Sequence, residues 1–202
     1  MIIIPAINCK NFKCVEEKIS QSAKFSQWAQ IDIADGKFTK HKTWNNPKKF
    51  SIPNIEIHLM VKNPLKEIKK WTKTGAKRII LHIETLKNYK IGKLENCEIG
   101  LAINPQTPIK KIIPFLENNR IKLVQILAVN PGKSGQKFQN KILKKIKFLK
   151  KNYPKIKIEI DGGINLKTAK LCKKAGADIL VVGSCIWESE NPKKAHQELA
   201  RI

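Results

Sequence analysis

Short runs of β-branched and apolar residues alternate with longer, lysine-rich stretches from one end of the chain to the other. The runs are IIIPAI (2–7), AQIDIAD (29–35), IEIHLMV (55–61), RIILHIE (78–84), EIGLAIN (98–104), KLVQILAVN (122–130), KIEIDGGI (157–164) and DILVVGSCIW (178–187). That makes eight. Apolar runs of this length without clean alternation suit strands covered on both faces, as in a parallel sheet. The stretches between them have helical spacing. FQNKILKKIKFLKK (138–151) puts Ile142, Leu143, Ile146 and Leu149 on one face and lysines on the other. Residues 64–74 open with Asn63 and Pro64, a cap and first-turn pair, and stop at Gly75. The 167–175 segment stops before Gly176. Strands alternating with helices, with no linker or low-complexity tract, predict a single-domain (β/α)₈ TIM barrel over residues 1–202. A doubly wound open sheet is the alternative. The 36–50 stretch (GKFTKHKTWNNPKKF) has the length and polarity of a functional loop.

Composition narrows the classes. At 202 residues, 42% hydrophobic and 28% charged, the chain can bury a real core. No apolar run approaches the ~20 residues a membrane helix needs. The apolar start, MIIIPAI, lacks the basic flank and the length of a secretory signal. Five cysteines without a CxxC pair speak against a disulfide scaffold and for a reducing, cytoplasmic setting. The net charge of +24 invites a nucleic-acid reading, but 37 of the basic residues are Lys and only three are Arg. Specific phosphate and base recognition favours the planar Arg fork. A solvated lysine surface is expected, with no specific nucleic-acid partner and no membrane.

In a barrel the active site lies at the C-terminal ends of the strands. Polar residues gather there: Asp32 and Asp35, His58, His82 and Glu84, Asn104, Asn130 and Asp161. Glycine-rich turns follow the last three strands, NPGKSG (130–135), DGGIN (161–165) and VGSCI (182–186). Such turns let consecutive N–H groups face an anion, and barrels often bind phosphate after strands seven and eight. An anion is therefore expected against Gly163, Gly183 and Ser184, with a small phosphorylated metabolite as substrate. Asp32 and Asp161 fall on opposite sides of the barrel. Two carboxylates facing across a substrate can take a proton from one face of a carbon and return one to the other. The resulting ene-diolate needs positive charge beside it, and Asp32, His58 and Asp161 form a set that suits one divalent cation.

The chain resembles the ribulose-phosphate 3-epimerase family over essentially its full length. QIDIADGKF (30–38), IEIHLMVKNP (55–64), LHIE (81–84), GLAINPQTP (100–108), VNPGKSGQKF (129–138), IEIDGGIN (158–165) and GADILVVGSCIW (176–187) carry the match. The resemblance implies interconversion of D-ribulose 5-phosphate and D-xylulose 5-phosphate through an ene-diolate, with one divalent metal ion (Zn, Fe, Mn, Co or Mg). It implies Asp32 and Asp161 as acid and base and as metal ligands, with His58 as a further ligand. Gly132, Lys133, Ser134, Gly135, Gly162, Gly163, Gly183 and Ser184 take the substrate and phosphate loops, and His58 and Met60 line the substrate pocket. It also implies a homo-oligomer, for which Trp28, Trp44, Trp71 and Trp187 are candidate buried or interface residues.

Departures from the family pattern set the alternatives. Gln30 stands where the family has a metal-binding histidine, and an amide oxygen is a weaker ligand than imidazole. Ala6 replaces a serine that contacts substrate. Ala34 and Ala128 stand at expected methionines, and the Gly-Phe-Gly-Gly loop reads Gly132-Lys133-Ser134-Gly135. His41, in the long loop, is a candidate substitute ligand. A catalytically weakened phosphate-binding relative, an epimerase for a hexulose 6-phosphate, and a polyanion binder that merely uses the barrel remain as alternatives.

Overall fold

In the computed structural model, which describes residues 1–86, 94, 96–117 and 121–202, each of the eight apolar runs carries a strand. They are β1 (Ile2–Ile7), β2 (Trp28–Ala34), β3 (Asn54–Met60), β4 (Arg78–His82), β5 (Glu98–Ile103), β6 (Leu123–Leu127), β7 (Lys157–Asp161) and β8 (Ile179–Val182). Every strand pairs in parallel with the next, and β8 pairs with β1 to close the barrel. The helices are α1 (Phe12–Ser22), α2 (Pro64–Trp71), α3 (Ile113–Glu117), α4 (Ile142–Asn152), α5 (Leu166–Ala175), α6 (Ser184–Trp187) and α7 (Pro192–Ala200).

Strand alternation splits the apolar residues into two cores. One face of each strand packs outward on the helices, where Ile57, Leu59, Ile79, Leu101, Ile126 and Ile158 are buried. The other face fills the barrel, where Ile4, Ile80, Ala102, Leu123, Leu127, Ile179 and Val181 form a second cluster. The filling is tight. A side chain at Gly100 would lie 2.6 Å from Ile80 Cδ1 and 2.8 Å from Leu123 Cδ2, so β5 needs glycine there. Polar groups share this interior. Arg78 bonds Glu56 at 2.5 Å and lies 3.5 Å from Glu159, and its guanidinium stacks 4.7 Å from the Trp28 ring centroid. Burial pushes Glu56 and Glu159 up, against the pull of Arg78.

Several local expectations are corrected. The glycine turn expected over 182–186 carries a short helix: β8 ends at Val182, the backbone bends at Gly183 (φ −96°, ψ −96°) and residues 184–187 form α6. The helix expected over 138–151 starts at Ile142, because Gln139 N–H is drawn to the Ala128 carbonyl at 2.8 Å and ties the preceding residues to β6. On α4, Ile142, Ile146 and Leu149 are buried and Leu143 is half-buried. Pro64 does open α2, but Asn63 makes no side-chain capping bond. No helix separates β2 from β3, and the 36–50 stretch is a loop. The segment after β4 lies largely outside the described residues. Cys9 and Cys14 form a disulfide where β1 turns into α1, so the expectation drawn from the cysteines fails for that pair. It is a local bridge across five residues rather than a scaffold, and Cys97, Cys172 and Cys185 are free. Trp71 is fully buried, Trp44 meets Trp71 and Phe50 edge-on and Phe12 at a tilt, and Trp28 lies under Arg78.

Candidate active site

Asp32 and His58 are register partners on β2 and β3, and Asp161 is the last residue of β7. All three turn inward. One ligand atom from each lies within 4.8 Å of the others. His58 Nδ1 is 3.3 Å from Asp32 Oδ1 and 3.4 Å from Asp161 Oδ2. Its other nitrogen, Nε2, is 2.9 Å from Nε2 of His82, whose Nδ1 is 3.1 Å from Glu84 Oε2. Burial opposes charge on His58, but the hydrogen bonds and charges of Asp161 and Asp32 outweigh it and lift the ring to about 10. Burial and the charge of His58 hold His82 down at about 4. Burial raises Asp161, and the nearby Asp32 charge adds to it, against hydrogen bonds from His58 and Gln30. These partners assign the ring protons: His58 donates from Nε2 to His82, and His82 donates from Nδ1 to Glu84.

Gln30 lies beneath this group. Its Nε2 donates to Asp32 Oδ1 at 2.8 Å and to Asp161 Oδ2 at 3.2 Å. Its Oε1 faces away and accepts from Gln125 Nε2 at 2.7 Å, and Gln125 Nε2 also donates to Glu159 at 2.9 Å. Gln125 Oε1 is buried with no partner among the described residues. A polar ladder therefore runs from the carboxylates through two amides to the Arg78 cluster at the far end of the barrel.

Above the carboxylates opens a cavity of about 210 Å³. Of the positions that the family resemblance assigns to proton transfer, metal or substrate, all but Gln30 line it: Asp32, His58, Met60 and Asp161 at the floor, and the loops 132–135, 162–163 and 183–184 around the rim. The β7 turn requires its glycines. Gly162 has φ +101° and a side chain there would meet Val129 at 2.4 Å; Gly163 has φ +64° and would meet Phe138 N at 2.8 Å. Other strand-end polar residues serve the scaffold. Asp35 accepts from the amides of Lys37, Phe38 and Lys62, which holds its carboxyl low although burial opposes this. Glu84 accepts from Asn104 N and Thr107 Oγ1. Asn8 was missed by sequence reasoning. It lines the cavity, donating to Asp32 Oδ2 at 3.2 Å and to the Gly132 carbonyl at 3.2 Å. The signal was present: Asn8 is the first polar residue after the all-apolar β1, at the C-terminal end where a barrel keeps its site.

Residues 2–187 match the profile described as the ribulose-phosphate 3 epimerase family. The chain belongs to that family. Ribulose-phosphate 3-epimerase from Schizosaccharomyces pombe is 29% identical over 205 residues, covering 95% of this chain and 89% of that protein. The Bacillus subtilis ribulose-phosphate 3-epimerase is 30% identical over 212 residues, 98% and 97% of the two chains. The cytoplasmic isoform from Oryza sativa is 32% identical over 178 residues, 83% and 78% of the two. Among solved structures, a 3-hexulose-6-phosphate synthase superposes with a TM-score of 0.64 at 15% identity, over 100% of this chain and 99% of that one. At that identity the likeness is one of fold.

Ribulose-phosphate 3-epimerases use a divalent metal, and three residues here fit one. Asp32, His58 and Asp161 converge, and His58 turns Nδ1 toward the carboxylates while Nε2 is engaged by His82, the usual orientation of a supported ligand. Gln30 does not fit as a fourth ligand: it presents N–H to the carboxylates while Gln125 holds its oxygen. His41 is not a substitute ligand either. Its Nε2 is 3.0 Å from Asn8 Oδ1, and Asn8 stands between it and Asp32. The epimerase pattern places a methionine at Ala128, but that residue packs in the outer core and Leu127 faces the cavity instead. Ala34 is buried and also outside the cavity lining. No helix among the described residues is long and apolar enough to cross a membrane.

Proposed function

We propose that this chain interconverts D-ribulose 5-phosphate and D-xylulose 5-phosphate, with Asp32 and Asp161 carrying the proton. One observation supports this most: two carboxylates from β2 and β7 meet at one imidazole on the floor of a cavity rimmed by glycine loops. One carboxylate takes the proton from C3 of the ketose, and the other returns a proton to the opposite face. Their roles exchange with the direction of reaction. Asn8 and Gln30 fix the carboxylates, Asn8 on Asp32 Oδ2 and Gln30 on the inner oxygen of each. Met60 and Leu127 supply apolar wall that excludes water from the ene-diolate. A divalent cation held by Asp32, His58 and Asp161 would supply charge to stabilise the ene-diolate oxygens. That oxygen-rich set favours Mn²⁺ or Mg²⁺ over zinc. The backbones of Gly163, Gly183 and Ser184, with the 132–135 loop, would hold the phosphate.

The test is a coupled or NMR assay on ribulose 5-phosphate with and without added Mn²⁺. Asp32→Asn and Asp161→Asn should each lower turnover about 10²–10⁴-fold, the usual worth of general acid–base help, while the fold persists. Near-native turnover in either variant would refute proton transfer through this pair. A catalytically weakened phosphate-binding relative is the second reading, and the amide of Gln30 is the observation that favours it. Phosphate binding without turnover at any metal concentration would establish it. Self-association and a cytoplasmic setting complete the proposal. The first rests on the family and is read by light scattering; the second is supported by the label of the rice relative.

A further inference from the structure

One wall of the cavity is not used by the proton chemistry. Ala6, Gly183, Ser184, Trp187 and Lys18 line it together. The wall is built around a fixed indole: Trp187 Nε1 donates to the Ala6 carbonyl at 2.5 Å. A Cβ added at Gly183 would come within 3.9 Å of Ala6 Cβ, an ordinary contact that sets the two residues side by side on this wall. Lys18 reaches in from α1, with Nζ 5.0 Å from the Trp187 ring centroid. Among the described residues no carboxylate lies within ion-pair distance of it. Burial draws its pKa down, and the charge of Glu188 offsets this only in part.

A half-buried ammonium that faces a π surface and a cavity is under-compensated. An anion in the cavity would provide the missing partner. We propose that Lys18 anchors the phosphate of the substrate from the α1 side, selecting phosphorylated ketoses over free ones. This rests on the reading that the glycine loops hold phosphate, and adds a side-chain charge to what would otherwise be a backbone cradle. The indole keeps the ammonium at the rim, so that little side-chain freedom is lost when phosphate binds.

Inorganic phosphate is the probe, measured at fixed ionic strength by calorimetry and as a competitive inhibitor of epimerisation by the full chain. Lys18→Gln should raise both the phosphate inhibition constant and KM for ribulose 5-phosphate by roughly 10- to 100-fold, the range of a charge-assisted hydrogen bond. Turnover at saturation should stay within about twofold, because Lys18 does not touch the reacting carbons. Lys18→Arg should recover most of the binding. Lys170→Gln, on the exposed face of α5, should change neither constant and so controls for loss of bulk charge. Gly183→Val should lose phosphate whether or not Lys18 contributes. If Gly183→Val loses phosphate and Lys18→Gln binds it as wild type does, the Lys18 proposal is overturned and the glycine cradle stands. If KM rises in Lys18→Gln without a matching change in phosphate inhibition, the effect is structural and the proposal again fails. If wild-type protein does not bind phosphate competitively, the cradle reading and the Lys18 anchor fall together.

Discussion

Gln30 has both ends of its amide committed, the nitrogen to Asp32 and Asp161 and the oxygen to Gln125. A neutral donor between two carboxylates holds them together without adding a ligand. Gln30→His would replace it with an imidazole whose second N–H is accepted by Gln125 once that amide turns its Oε1, without a partner among the described residues, inward in place of the Nε2 that now serves Gln30 and Glu159. The variant should therefore fold and bind Mn²⁺ roughly 10–100-fold more tightly, the scale on which changes around a metal's ligands act. Electron paramagnetic resonance of free against bound Mn²⁺ measures it directly. Unchanged affinity would mean that the fourth side of the site is shaped by more than this residue. Sequence alone exposed Gln30 as the departure, but not which end of its amide faces inward. Gln125, 95 residues away, decides that.

At the scale of elements, the turn after β4 shows how a strand end is held. Glu84 binds His82, the Asn104 amide and the Thr107 hydroxyl, and these contacts overcome burial and hold it at about 2. A folded value below the ordinary 4.5 means that this stabilisation is complete above pH 4.5 and disappears as pH falls through about 2. Glu84→Gln should cost about 1–3 kcal/mol at neutral pH. The gap between mutant and wild type should close as urea melts are repeated from pH 4.5 downward; a gap independent of pH would contradict the ionised contact. The strands and most helix stops were legible because apolar runs and Gly75 or Gly176 mark them locally. The start of α4 and the helical form of 184–187 were not, since a bond to Ala128 and the backbone bend at Gly183 fix them.

For the molecule as a whole, charge is arranged on two scales. Lysines cover the helices, so RNA should bind weakly at low salt and dissociate as salt rises to about 0.2 M, without sequence preference. Inside the barrel a single arginine serves several carboxylates: Arg78 reaches Glu56, Glu159 and Glu98. Arg78→Met keeps the volume but leaves Glu56 and Glu159 buried without a counter-charge. It should cost about 3–5 kcal/mol in thermal or chemical unfolding. A smaller loss would indicate that both carboxyls are already neutral in the folded protein.

The sequence by itself determined the eight strands and the short motifs that place Asp32, His58, Asp161 and the glycine loops, while the pairing of β8 with β1 chose the closed barrel over an open sheet. These are local patterns, set by side-chain volume, alternation and backbone freedom within a few residues. Only the tertiary structure decided which strand-end polar groups act together. Asp35 and Glu84 looked as eligible as Asp32, yet they hold loop amides while Asp32 turns into the barrel. The same holds for Asn8, Gln125 and Lys18. Each sits in an ordinary local pattern, and each gains a role only where closure brings distant strands to one axis. A buried polar group must find its partner across that axis or remain unpaired, and no local stretch of sequence records where the partner is.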